Sequence, residues 1–90
     1  FGSIMTFLHQ IEIYLRRLSV EKALFKLERD VDAAFVSGQK TARVIHGKGN
    51  GILRDVVCKK LAEHPLVLNY RSGFLEEGGA GVTIIEFVER

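Results

Sequence analysis

Ala42-Arg43-Val44-Ile45-His46-Gly47-Lys48-Gly49-Asn50-Gly51-Ile52 is the stretch on which the reading of this chain turns. Residues 42 to 45 form a β-like run, and a helix-like run begins near Ile52. Three glycines, Gly47, Gly49 and Gly51, lie within five positions. They let the backbone turn sharply and come close to a ligand. A helix start just behind them presents N–H groups without partners, which favour anions. His46 adds a group that titrates near neutrality, and Lys48 adds a fixed positive charge. The combination points to a loop that handles phosphate.

Outward from this loop the chain alternates strand and helix. Residues 10 to 16 read Gln-Ile-Glu-Ile-Tyr-Leu-Arg, with Ile11, Ile13 and Leu15 alternating with polar neighbours. That period of two predicts a strand with one buried face. Residues 1 to 9 have no clear period and read as a tail or lead-in to a single domain over 10–90. Ser19 is placed to cap a helix running to about Ser37, with Val20, Ala23, Leu24, Leu27, Val31, Ala34 and Phe35 on its apolar face. Gly38 stops that helix. A second strand follows over 41–46. The second helix is predicted from about Asn50–Ile52 to Glu63, with Ile52, Leu53, Val56, Val57 and Leu61 turned inward, and Pro65 cannot continue it. Strands are predicted over Leu66–Arg71 and Val82–Val88, separated by a glycine-rich loop. A right-handed crossover makes the first two strands parallel, and the loop between the last two makes them antiparallel. The expected fold is an α/β two-layer sandwich, β-α-β-α-β-β, with a four-stranded mixed sheet and two helices on one face.

Composition bounds the function. Ninety residues, 47% hydrophobic and 27% charged, suit one small globular domain. No apolar run approaches the roughly 18 residues a membrane helix needs. The opening residues lack the basic and apolar regions of a signal peptide, and the first residue is not methionine, so the sequence is expected to be a piece of a larger parent chain. One cysteine, Cys58, excludes an internal disulfide framework and suits a reducing cytoplasm. Residues 38 to 60 carry six basic side chains against Asp55 alone, a local +5 in a chain whose net charge is +2. Such a segment reads as the footprint of a polyanion partner or as a solvated helix face.

Four stretches carry a family resemblance: Leu18-Ser19-Val20-Glu21-Lys22-Ala23-Leu24; Val44-Ile45-His46-Gly47-Lys48-Gly49 with Leu53-Arg54; His64-Pro65-Leu66-Val67; and Glu76-Glu77-Gly78-Gly79-Ala80-Gly81-Val82-Thr83. In this order and spacing the chain resembles the Smr (small MutS-related) domain over about residues 11 to 88. The resemblance implies a fold like the C-terminal domain of translation initiation factor three. It also implies DNA binding, on branched substrates among others, and nicking endonuclease activity. Some members act at ribosomes, so an RNA or protein-interaction module without catalysis is the alternative. The family's Leu-Asp-Leu-Arg-Gly motif falls on Ile13-Tyr14-Leu15-Arg16-Arg17. Arg16 matches; Tyr14 stands at the aspartate and Arg17 at the glycine. The aspartate is associated with cutting, so binding is the first expectation and nicking the second.

The candidate site follows. His46 and Arg16 are the candidate catalytic residues, at the carboxyl ends of neighbouring parallel strands where α/β sheets bind ligands. His46 reads either as a general acid/base or as a turn-capping histidine. Lys48, Arg54 and Arg17 are candidate phosphate contacts, and Gly47, Gly49, Gly79 and Gly81 candidate points of close backbone approach. The loop is not a nucleotide cradle: it lacks the Gly-Lys-Ser/Thr ending, and Ile52 stands where a dinucleotide fingerprint needs glycine. Glu12, two residues from Tyr14, reads as an exposed strand residue or as a substitute carboxylate. His9, His46 and His64 are dispersed, so no metal cluster and no cofactor are expected.

Overall fold

The fold is taken from a computed structural model that describes residues 10–89. The predicted tail, 1–9, lies outside the described residues. The elements are β1 (Ile11–Tyr14), α1 (Val20–Val36), β2 (Thr41–Ile45), α2 (Ile52–Glu63), β3 (Val67–Ser72) and β4 (Val82–Phe87), with two short 3-10 turns, Leu75–Glu77 and Gly79–Gly81, before β4.

Local chemistry accounts for most boundaries. Ser19 caps α1 by accepting from the Lys22 N–H at 3.2 Å. Pro65 falls just beyond α2, where its missing N–H forbids continuation. β1 ends two residues earlier than the alternation predicts, because Arg16 and Arg17 turn the chain. Arg17 has φ +67°, a left-handed conformation in which an arginine is strained. The predicted extension of β2 to residue 46 and of β4 to Val88 also shorten by one residue, and β3 shifts one residue forward.

The sheet order is β1-β2-β4-β3. β1 and β2 are parallel, with Ile13 opposite Val44, and β4 runs antiparallel to both β2 and β3. The last strand in sequence is therefore internal. Val82-Thr83-Ile84-Ile85-Glu86-Phe87 suits that place: five of its six residues are buried, as a β-branched run flanked by a strand on each side should be. Ile13, Ala42, Val44, Ile85 and Phe87 face the helices and form one core with Ala23, Leu27, Val31, Ala34, Val57 and Leu61. Phe35 meets Phe87 edge-on at 5.9 Å between ring centres. Val20 and Ile52, predicted to face inward, are exposed; each is the first residue of its helix, where one side of the turn faces solvent.

Alternation puts Glu12, Arg43, Ile84 and Arg71, successive cross-strand partners, on the face without helices. Glu12 accepts from the Tyr14 hydroxyl at 2.7 Å and pairs with Arg43 at 3.5 Å. Arg71 grips Glu77 with two N–H···O bonds, 2.8 and 3.1 Å. Long arginine stems either side of Ile84 explain how it stays 94% buried on an uncovered face.

Candidate nucleic-acid interface

The parallel pairing of β1 and β2 brings Arg16 to the glycine loop. Leu15 N–H donates to the Ile45 carbonyl at 2.8 Å, carrying the ladder one step past β1. Arg16 then lies against Gly47: a Cβ on Gly47 would sit 3.3 Å from both Cγ and Nε of Arg16, and Gly47 has φ +81°. The left-handed φ favours glycine there, and an added Cβ would also push the exposed Arg16 side chain slightly aside. The second glycine loop is tied to the first by one atom. The Gly81 carbonyl accepts from His46 N–H at 3.1 Å and Gly47 N–H at 2.9 Å.

Between the two loops is an open cleft of about 380 Å³. Its floor is Ile45 and Val82, which are cross-strand partners. Gly47, Gly49, Gly78 and Gly81 form its glycine walls, and Arg16 and Lys48 supply positive charge. Two cations and a bare backbone around an open, partly apolar depression can hold a phosphate and the sugar beside it.

His46 is behind this cleft rather than in it. Ala42, Val44 and His46 alternate toward the helices, and His46 is only 4% exposed. Nδ1 lies 2.9 Å from the Gly47 carbonyl. A carbonyl only accepts, so Nδ1 carries the hydrogen. In the neutral ring Nε2 then accepts, from the Thr83 hydroxyl at 2.8 Å. Cys58 Sγ stands 3.8 Å from the same hydroxyl and can donate to it. Burial holds the His46 pKa below its usual value; the Gly47 carbonyl opposes the shift and the Arg54 charge adds to it. Both ring nitrogens thus have partners inside the protein.

The remaining candidates divide. Arg16, Lys48, Gly47, Gly49 and Gly81 line the cleft; Arg17, Arg54 and Gly79 do not. Arg54 turns to β3, donating to Ser72 Oγ at 3.0 Å, and its buried Nε has no partner among the described residues. Glu12 is held by Tyr14 and Arg43, away from the cleft. The first free N–H of α2, on Ile52, is taken by the Asn50 side chain at 3.1 Å. Ile45, Gly78, Val82 and Thr83 were not among the sequence candidates. Thr83 had a signal in the sequence, as the polar residue on the inward side of β4 with Ile85 and Phe87. Among the described residues no group of three or more His, Cys, Asp or Glu side chains is placed to hold a metal ion, and no helix is long and apolar enough to cross a membrane.

The Smr domain family model matches residues 13–88. The chain belongs to the Smr domain family. Endonuclease MutS2 of Clostridium tetani is 47% identical to it over 75 residues, covering 83% of this chain and 10% of that protein. Endonuclease MutS2 of Thermomicrobium roseum is 46% identical over 74 residues, covering 82% and 9%. This Smr domain therefore spans about a tenth of the length of the relatives it matches, which carry their Smr domains within larger chains. The crystal structure of the Smr domain of Thermus thermophilus MutS2 superposes with a TM-score of 0.85 at 33% identity, covering 88% of this chain and 99% of that one. The stand-alone small MutS-related protein YdaL of Escherichia coli gives 0.84 at 25% identity, covering 90% and 66%.

Proposed function

We propose that this Smr domain binds the sugar–phosphate backbone of a nucleic acid in the cleft between its two glycine loops, as one part of a larger MutS2-like protein. The observation that carries this is the convergence of Arg16 and Lys48 on a cleft walled by four glycines. Arg16 supplies a planar fork of donors and Lys48 a mobile point charge. Gly47 and Gly49 let the backbone approach. His46 positions the Gly47 peptide, and Gly81 fixes the distance between the loops.

Backbone contacts release counterions, so affinity should fall steeply with salt. Fluorescence anisotropy of a labelled duplex across a salt series tests this. Arg16→Ala and Lys48→Ala should each weaken binding and lower the salt slope by roughly 0.9. A slope unchanged in the double variant would remove the cleft from the binding surface.

The relatives named endonucleases favour a second reading, in which the domain also nicks. Tyr14 in place of the family's aspartate and the fully engaged His46 ring set binding ahead of cutting. Incubation with supercoiled plasmid decides between them: nicking that depends on Arg16 supports the enzyme, and its absence leaves a binding module. DNA and RNA probes compared in the same anisotropy assay separate a DNA-directed domain from a ribosome-directed one.

A further inference from the structure

The cleft is bracketed by exposed aromatic rings. Its floor residues belong to one row across the sheet: Tyr14 pairs with Ile45, Ile45 pairs with Val82, and the Gly73 N–H donates to the Val82 carbonyl at 2.9 Å. Phe74 follows Gly73. Three strand spacings of about 4.8 Å put the two ends of this row roughly 14 Å apart. Tyr14 is 55% exposed and Phe74 60%. Both rings are on the uncovered face: Tyr14 reaches Glu12, and Phe74 lies under the Arg71 guanidinium at 4.1 Å from its ring centre.

Neither ring hangs on a loose segment. The Phe74 N–H donates to Glu77 Oε1 at 2.7 Å, its carbonyl accepts from Glu77 N–H at 2.8 Å and Gly79 N–H at 2.9 Å, and Glu77 is gripped by Arg71. Arg71 occupies one face of Phe74 and leaves the other to solvent. On the opposite side the Tyr14 carbonyl accepts from Lys26 Nζ at 2.8 Å, and its hydroxyl is tied to Glu12. Glu12 and Glu77, which bind the Tyr14 hydroxyl and the Phe74 N–H, are each paired with an arginine; Glu76, exposed beside Phe74, has no ion pair among the described residues. A polyanion approaching here meets two paired acids and the positive charge of Arg16 and Lys48, which outweighs the single unpaired charge of Glu76.

We propose, building on the cleft reading above, that the preferred ligand is a single-stranded or unpaired segment of polynucleotide, with a phosphate between Arg16 and Lys48 and flanking bases stacked on Tyr14 and on the free face of Phe74. A duplex hides its base faces in its own stack, whereas an unpaired segment offers them to any exposed ring. Two ordered rings either side of a phosphate cleft lose little freedom on binding.

The test is anisotropy at one fixed salt concentration with three fluorescein-labelled probes of one mixed sequence: single-stranded DNA, single-stranded RNA and duplex DNA. Phe74→Ala and Tyr14→Leu should each weaken single-strand binding roughly 5- to 100-fold and leave the duplex nearly unchanged. Phe74→Tyr and Tyr14→Phe, which keep a ring, should bind as the original chain does. Loss on DNA alone or on RNA alone supports the proposal and assigns the source of the strand. No loss on either strand, or equal loss on the duplex, overturns it. Lys48→Ala should weaken all three probes; if it weakens none, the cleft reading itself fails, independently of the rings.

Discussion

Thr83→Val replaces the hydroxyl that His46 Nε2 meets at 2.8 Å with a methyl group of similar size. Thr83 is 1% exposed and His46 4%, so water does not replace the lost donor. An acceptor stranded in a buried site costs about 1–3 kcal/mol. The added methyl returns about 0.8 kcal/mol of burial. The net loss should be about 1 kcal/mol, which lowers the thermal midpoint of a domain this size by roughly 4–8 °C. Thr83→Ser keeps the hydroxyl and should recover most of that loss, less the small cost of a missing methyl. Circular dichroism melts at pH 7.5 read both variants. Imidazole nitrogen NMR adds a readout that packing alone would not move: His46 should carry its hydrogen on Nδ1, and its Nε2 resonance should shift in Thr83→Val but not in Thr83→Ser. A valine variant as stable as the original chain, with an unshifted Nε2, would refute the hydrogen-bond chain from Cys58 through Thr83 to His46 and reopen His46 as a free base.

Other outcomes follow from single observations. The folded His46 resists protonation while the unfolded chain takes a proton at about pH 6.5, so stability is full above that value and should fall as pH drops below it; urea midpoints at pH 7.5 and 5.5 should differ less in His46→Gln. Glu77 is held down to about 2 by Arg71 and the Phe74 N–H, so its share of stability is present above pH 4.5 and is lost as pH falls from there toward 2, a limb that Glu77→Gln should flatten. Gly78→Ala places a Cβ in collision with Val82 Cγ2 at φ +115°; left-handed strain and overpacking together should cost about 2–4 kcal/mol, read as a lower urea midpoint. Arg17→Gly relieves a left-handed arginine at some entropic cost and should raise stability by up to about 1 kcal/mol in a thermal melt, whereas Arg17→Val should lower it. Tyr14→Asp changes an exposed side chain and should leave the fold intact while raising plasmid nicking; equal rates in both chains would show that a carboxylate there is not what nicking lacks.

The glycine loop shows how much of the site was legible. His46, Lys48 and the glycines announced a phosphate-handling turn, and the parallel pairing of β1 with β2 brought Arg16 beside them as the crossover rule requires. The face on which His46 points was not legible, because Val44 and Ile45 are both apolar and either could mark the inward side. Arg54 sits one turn into α2, a place compatible with reaching the loop; its choice of Ser72 depends on where β3 ends. Thr83 read as part of a motif, and only the pairing of β4 beside β2 turned it into the partner of His46.

By itself the sequence determined the element order, the cap at Ser19, the stops at Gly38 and Pro65 and the need for glycine at 47, since these depend on backbone conformation and on side chains a few residues apart. The four stretches of motif also determined the family. Tertiary structure decided the strand order, with β4 inside the sheet, and through it the cleft. The glycine loops are joined by the Gly81 carbonyl, and Tyr14 and Phe74 stand on either side of Ile45 and Val82. Most of those relations link residues 30 or more positions apart in the chain, where local preferences say nothing and only the packing of the whole core fixes which neighbours meet.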